Sequence, residues 1–195
     1  MSTAPWLVAG LGNPGPEYAA TRHNIGFLVV DALAERADVK LARHKRAHTL
    51  AAEAKVGAPG SMHRLVLAEP LSFMNESGGP VKALMSFYGI DADRLIVVHD
   101  ELDLPFADLR VKFGGGDNGH NGLKSIRRAT GTGDFLRVRA GIGRPPGRQD
   151  PAAFVLKPFS ASERRDLPEF VDRCADAVES LVFEGLERTQ NRFND

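Results

Sequence analysis

Short apolar runs alternate with amphipathic stretches along most of the chain. Residues 6–9 are apolar and stop at Gly10-Leu11-Gly12-Asn13-Pro14-Gly15-Pro16, the pattern of a buried strand feeding a loop. Between Ile25 and Ala37 the apolar residues Ile25, Leu28, Val29, Ala32 and Leu33 return at helical spacing. That predicts an amphipathic helix with Asp31 and Glu35 on its wet side. Residues 47–56 and 63–67 read as two strands joined across Gly57-Ala58-Pro59-Gly60. Pro80 is placed to open a helix running to Tyr88, with Gly89 as its C-cap. Leu95-Ile96-Val97-Val98 is a short run of the kind buried inside parallel sheets. Further strands are expected at 109–113 and 135–142, a short helix at 123–129, and a longer helix at 162–187 containing Pro168. Strands alternating with helices, without a repeat or a low-complexity linker, predict an α/β fold. A single globular domain over residues 1–195 is expected, with a twisted mixed β-sheet flanked by helices.

Length and composition narrow the class. At 195 residues, 43% of them apolar, the chain has one domain's worth of core. Lysine plus arginine total 25 and aspartate plus glutamate total 25, so a polycation that coats nucleic acid by bulk charge is excluded. The charge is nevertheless uneven. Residues 110–148 hold nine basic side chains against Asp117 and Asp134, a net of +7, whereas 161–187 hold eight acids against three arginines, a net of −5. Such a split suits two solvated faces, or a phosphate-binding surface beside an acidic back. The single cysteine, Cys174, excludes an intramolecular disulfide and any all-cysteine metal site, and fits a reducing cytoplasmic compartment. No apolar run is long enough to span a bilayer, and no basic segment followed by a hydrophobic stretch marks a secretion signal. A soluble cytoplasmic protein with no membrane partner is expected.

Two glycine-dense loops invite nucleotide chemistry. Gly10-x-Gly12-x-x-Gly15 satisfies the dinucleotide spacing, but Pro14 and Pro16 flank its third glycine, and Asp31, at the distance of the ribose-binding acid, falls inside a helix. The loop reads better as a turn presenting Asn13 at a strand's carboxyl end. A dinucleotide-binding oxidoreductase stays open as a minor alternative. Gly114-Gly115-Gly116 with Gly119-His120-Asn121-Gly122 opens a helix but lacks the Gly-Lys-Ser/Thr of a Walker loop. No nucleophile stands out: Cys174 sits in an acid-rich helix, no serine lies in a G-x-S-x-G turn, and no histidine pair has zinc-hydrolase spacing. His99-Asp100-Glu101-Leu102-Asp103 follows the apolar strand and could orient a histidine, bind a metal or be solvated. His23 could cap the first long helix or act as a base. Asn75 could position a carbonyl or water, or cap the helix after it.

Taken together these segments resemble the bacterial-type peptidyl-tRNA hydrolase family. The resemblance rests on Gly10-Leu11-Gly12-Asn13-Pro14-Gly15 with Tyr18, Thr21-Arg22-His23-Asn24-Ile25-Gly26 and Phe73-Met74-Asn75 with Ser77-Gly78. It continues through His99 to Asp103, Gly114-Gly115-Gly116 with Gly119-His120-Asn121-Gly122-Leu123, Arg139 to Pro145, and Asn191-Arg192. It implies a monomer with no metal and no organic cofactor that cleaves the ester joining a peptide to the terminal ribose of tRNA. By the same resemblance His23 is the general base and Asp100 holds its imidazole, while Asn75 and Asn121 place the peptide carbonyl and the water. Asn13 tells a blocked amino group from a free one, and Tyr18 and Phe73 form substrate-contacting walls. A catalytically silent relative that only binds RNA is the second alternative. A peptidyl-tRNA substrate must be gripped by its RNA, and Arg110, Lys112, Arg137, Arg139 and Arg144 are the candidates for that phosphate grip.

Overall fold

A computed structural model describes residues 4–194. β1 (Trp6–Gly10) lies near the middle of a seven-stranded sheet, parallel to β4 (His63–Pro70) on one side and β5 (Leu95–Glu101) on the other. β7 (Leu136–Gly141) runs parallel to β5, and the antiparallel strand β6 (Leu109–Phe113) closes that edge. On the opposite edge, β3 (Thr49–Val56) pairs antiparallel with β4 and with the two-residue β2 (Ala42–Arg43). The order β2-β3-β4-β1-β5-β7-β6 makes the sheet mixed. Leu7, Ala9, Leu95 and Val97 face α2 (Gly78–Tyr88) and α3 (Asn121–Thr130). Val8, Ile96 and Val98 face α1 (Ile25–Arg36) and the long α5 (Ala161–Glu184). Central strands buried on both faces cannot alternate apolar with polar, which is why they read as continuous apolar runs.

One close approach fixes where α1 sits on the sheet. A Cβ on Gly10 would lie 2.2 Å from the Gly26 carbonyl oxygen, and one on Gly26 would lie 2.4 Å from the Leu11 nitrogen and 2.5 Å from the Val98 carbonyl oxygen. Backbone therefore meets backbone where α1 starts above β1 and β5. His23, three residues ahead of Gly26, is carried over the carboxyl end of β5.

Several boundaries differ from those the sequence predicts. β5 runs three residues past Val98, so His99, Asp100 and Glu101 are strand residues, buried despite their polarity. The helix expected to open at Pro80 already begins at Gly78, with Pro80 in its first turn, where a missing N–H costs nothing, and it ends on left-handed Gly89. The single helix expected at 162–187 is two: α5 begins with a Ser160–Glu163 capping box and stops at Gly185, and α6 (Leu186–Phe193) turns back against the sheet. A short helix, α4 (Pro151–Val155), capped by the Asp150 side chain, occupies a stretch for which the apolar pattern predicts no element. The outer edge of β6 is also occupied. Val111 N–H donates to Asn194 Oδ1 at 2.8 Å, and the Val111 carbonyl accepts from Asn194 Nδ2 at 2.9 Å and from Gln190 Nε2 at 3.3 Å.

Candidate active site

Four segments meet at the carboxyl ends of β1 and β5. The first is the loop after β1. The Asn24 side chain clamps it, accepting from Asn13 N–H at 2.9 Å and donating to the Asn13 carbonyl at 2.9 Å. Asn13 Oδ1 in turn accepts from Met74 N–H at 2.7 Å, which fixes the amide and leaves Nδ2 as the group not committed to the protein. The second segment is the single 3₁₀ turn Arg22–Asn24 that carries His23. Arg22 anchors it: its guanidinium donates to the Phe154 carbonyl at 3.1 Å, pairs with Glu163 at 2.8 Å and stacks over the Phe154 ring. The third is the end of β5, and the fourth is the glycine loop leading into α3.

At their junction His23 Nδ1 lies 2.9 Å from Asp100 Oδ2, and His120 Nε2 lies 2.8 Å from Asp100 Oδ1. Burial works to raise the Asp100 pKa, but the attraction of His23 and His120 and their hydrogen bonds hold it well below the usual carboxylate range. The carboxylate therefore accepts from both rings. Burial works to lower the pKa of His23, yet the charge of Asp100 and the bond to it outweigh burial and leave it above the ordinary imidazole value. With Nδ1–H given to Asp100, the lone pair of neutral His23 sits on Nε2. His99 is fully buried and hydrogen-bonds through Nδ1 to the Asp100 carbonyl at 2.8 Å. Burial and then the neighbouring His120 push its pKa down to about 3, so it stays neutral.

His23, Asp100 and His120 also bring three potential metal-donor atoms within 4.8 Å of one another. Each is already committed to the hydrogen-bond chain: His120 Nδ1 accepts from the Gly122 and Leu123 N–H groups, its Nε2 donates to Asp100, and Asp100 serves both rings. As it stands, this donor set suits proton handling better than a cation.

The chain borders a cleft of about 640 Å³. Asn13, His23, Asn75, Asp100 and Asn121 all line it, so the structure brings these five sequence candidates together. Phe73 lines it too, 53% exposed, and Tyr18 stands edge-on to Phe73 at 6.3 Å without itself reaching the cleft. Sequence reasoning assigned no role to His120, Met74, Asn118 or the wall made by Asp150, Pro151 and Val155. Asp150-Pro151 was a readable signal, an N-cap residue followed by proline at the first helical position. His120 gave none, because histidine is not a favoured N-cap. The dinucleotide alternative has no support in the topology: a loop and a 3₁₀ turn follow Gly15 before any helix starts, and Asp31 lies within α1.

The basic candidates differ in how available they are to a phosphate. Across β6 and β7, Arg110 faces Arg139 and Lys112 faces Arg137. Arg137 is fully buried, and this corrects its placement in the grip. Its guanidinium bonds to the carbonyls of Gly115 and Gly133, both at 2.9 Å, and to that of Gly116, bracing the glycine loop from beneath. Arg139 is paired with Glu101 at 3.0 Å and Arg144 with Asp103 at 2.6 Å, and the Asn118 amide bridges the same two acids. Arg110 is exposed, and Lys112 is half-buried beside the backbone of Gly115.

Comparison with known proteins covers nearly the whole chain. A family model described as peptidyl-tRNA hydrolase matches residues 7–195. The peptidyl-tRNA hydrolase of Streptomyces coelicolor is 59% identical over 192 residues, spanning 98% of this chain and 96% of that protein. The enzyme of the same name from Frankia alni is 61% identical over 190 residues, 97% and 94% of the two chains. Among solved structures, peptidyl-tRNA hydrolase from Acinetobacter baumannii superposes with a TM-score of 0.85 at 34% identity, covering 97% of this chain and 94% of that one.

Proposed function

The chain belongs to the peptidyl-tRNA hydrolase family, and we propose that within it His23 is the base, Asp100 the group that orients it, and water the nucleophile. The protein hydrolyses the ester of peptidyl-tRNA, releasing tRNA from stalled peptidyl-tRNA. One observation carries the assignment of roles. The His23–Asp100 pair opens onto a cleft that, among the described residues, is lined by no serine, threonine, cysteine or lysine. A histidine–carboxylate pair without such a nucleophile can still take a proton from water. The water oxygen bonds to the ester carbonyl carbon as its proton passes to His23 Nε2. The tetrahedral intermediate then expels the ribose oxygen, which takes that proton back from the imidazolium. Asp100 keeps the tautomer and stabilises the charge on the ring.

Asn75 and Asn121, at the rim, place the peptide carbonyl and the attacking water and offer amide donors to the developing oxyanion. Asn13 presents Nδ2, a donor, to the acyl oxygen of a blocked amino group. A free ammonium, which has only protons to offer, finds no acceptor there. Tyr18 and Phe73 supply an apolar flank for the terminal adenosine. The protein works as a monomer, and its lone, buried cysteine supports the cytoplasm as its compartment. Among the described residues no helix is long and apolar enough to cross a membrane. The test is release of tRNA from an N-acetylated aminoacyl-tRNA beside the same tRNA carrying a free amino group. Cleavage of the blocked substrate alone is expected; equal cleavage of both would remove Asn13 from its role.

Arg110 and Lys112 are the cations most available to RNA phosphates, whereas Arg139 and Arg144 must first release Glu101 and Asp103. Replacing Lys112 by alanine should therefore flatten the slope of log affinity against log salt by about one and weaken all tRNAs alike. The rate at saturating substrate should hold, because a contact made equally in ground and transition states enters KM only. Filter binding across a salt series, beside saturation kinetics, reads both quantities. An unchanged slope would take Lys112 out of the grip.

A further inference from the structure

His120 ends the glycine loop and caps α3 by an unusual route. Its Nδ1 accepts from the backbone N–H of Gly122 at 3.1 Å and of Leu123 at 3.3 Å. Those groups can only donate, so Nδ1 carries a lone pair, and the proton of the neutral ring is on Nε2. That proton points at Asp100 Oδ1, 2.8 Å away. The Asp100 side chain is 2% exposed and spends its other oxygen on His23. A buried carboxylate thus sits between two imidazole donors, one mounted on a helix terminus and one on the water-activating ring.

We propose that His120 is a positioning residue for the His23–Asp100 pair: fixed through Nδ1 to the start of α3, it sets the plane of the Asp100 carboxylate and takes a share of its charge. The inference deepens, and rests on, the reading of His23 as the base. Two physical effects are involved. The terminal torsion of an aspartate is broad, so a carboxylate held by one donor wanders where one held by two does not. A carboxylate relieved of one donor also has more charge to offer the other. Without His120, Asp100 would bind the imidazolium form of His23 more strongly, and less of the base would be free at neutral pH. The titratable groups facing this pair are His120 ahead of α3, His99 and Glu101 within β5 and Asp150 ahead of α4, and among the described residues Asp100 alone bonds to the His23 side chain.

The experiment compares His120→Asn with His120→Ala. Asparagine is a favoured N-cap and keeps the helix start, but its shorter side chain cannot cap α3 and also reach Asp100. The primary readout is an NMR titration of the His23 ring in the free protein, with kcat and KM on N-acetylated aminoacyl-tRNA beside it. In both variants the His23 midpoint should rise by about half to one pH unit, as expected when a charged acceptor loses a hydrogen bond. The saturated rate at pH 7 should fall by about tenfold, with KM nearly unchanged. His120→Asn should melt like the wild type, whereas His120→Ala should melt lower. A wild-type midpoint and rate in His120→Asn would reduce His120 to a helix cap, and a midpoint that fell would reverse the proposed charge sharing. The titration needs no turnover, so it reads the link from His120 to His23 even if the base assignment itself were to fail.

Discussion

Replacing His23 by alanine should lower the saturated rate of peptidyl-tRNA hydrolysis by roughly 10²–10⁴-fold, the contribution of a positioned proton acceptor. The fold should survive, because the turn that carries His23 is held by other groups. Arg22 ties it to Phe154 and Glu163, and Asn24 clamps it to Asn13. KM should move little, since the grip on RNA is proposed at Arg110 and Lys112 on β6 and not at His23. The pH profile gives a second reading of the same change. If water is activated by neutral His23, as proposed, wild-type activity should rise with pH through the His23 pKa, which lies above the ordinary imidazole value. In the alanine variant that limb should vanish from whatever rate remains. Turnover near the wild-type rate, or a limb that persists, would remove His23 from the mechanism.

The second large effect is expected of Asp100→Asn, and the two-donor geometry makes it severe. An asparagine offers one oxygen and one amide NH₂ where the aspartate offers two oxygens. His120 cannot turn its lone pair toward the amide without giving up the N–H groups of Gly122 and Leu123. The amide oxygen therefore goes to His120, and the NH₂ faces His23 Nδ1. The imidazole must answer with a lone pair there, which moves its proton to Nε2 and leaves nothing to receive a proton from water. An imidazole held in the wrong tautomer costs on the order of 10⁴-fold. Asp100→Asn should accordingly be as inactive as His23→Ala, or more so, although the imidazole is still present. Nitrogen chemical shifts of His23 would show the tautomer directly. An Nδ1-protonated ring in a slow variant would point instead to lost charge stabilisation.

Much of this arrangement was legible in the sequence, and the exceptions have physical reasons. β1, the β3–β4 hairpin, α1 and the acid-rich α5 follow from apolar runs and helical spacing. Three polar residues after Val98 make β5 read as ending there. A strand whose end forms a reaction site buries such residues when they bond to one another. Arg137 and Arg139, alternating with Leu136 and Val138, look like the wet face of a half-exposed strand. For Arg137 that face is covered by a glycine loop with no side chains to satisfy its own carbonyls, so the buried guanidinium does it. The split at Gly185 was readable, since glycine with positive φ commonly ends a helix. Among the candidate site residues, Asn13, His23, Asn75, Asp100 and Asn121, which line one cleft, are singled out by the family's motifs rather than by spacing alone. His120 was missed because its role depends on which nitrogen faces the helix, and no one-dimensional pattern encodes that.

The contacts at Val111 bear on how the protein behaves at high concentration. An outermost strand is ordinarily the place where a sheet recruits a strand from another molecule, because its backbone groups point into solvent. Here Asn194 and Gln190 answer those groups as a neighbouring strand would, at the residue midway between Arg110 and Lys112. The strand proposed to offer cations to a nucleic acid thus has no ladder to extend at that position. Its cationic side chains are left open while its main chain is answered at Val111, where a strand from another molecule would otherwise pair. The proposed attraction to RNA is thereby separated, at that residue, from strand pairing with other copies of the protein.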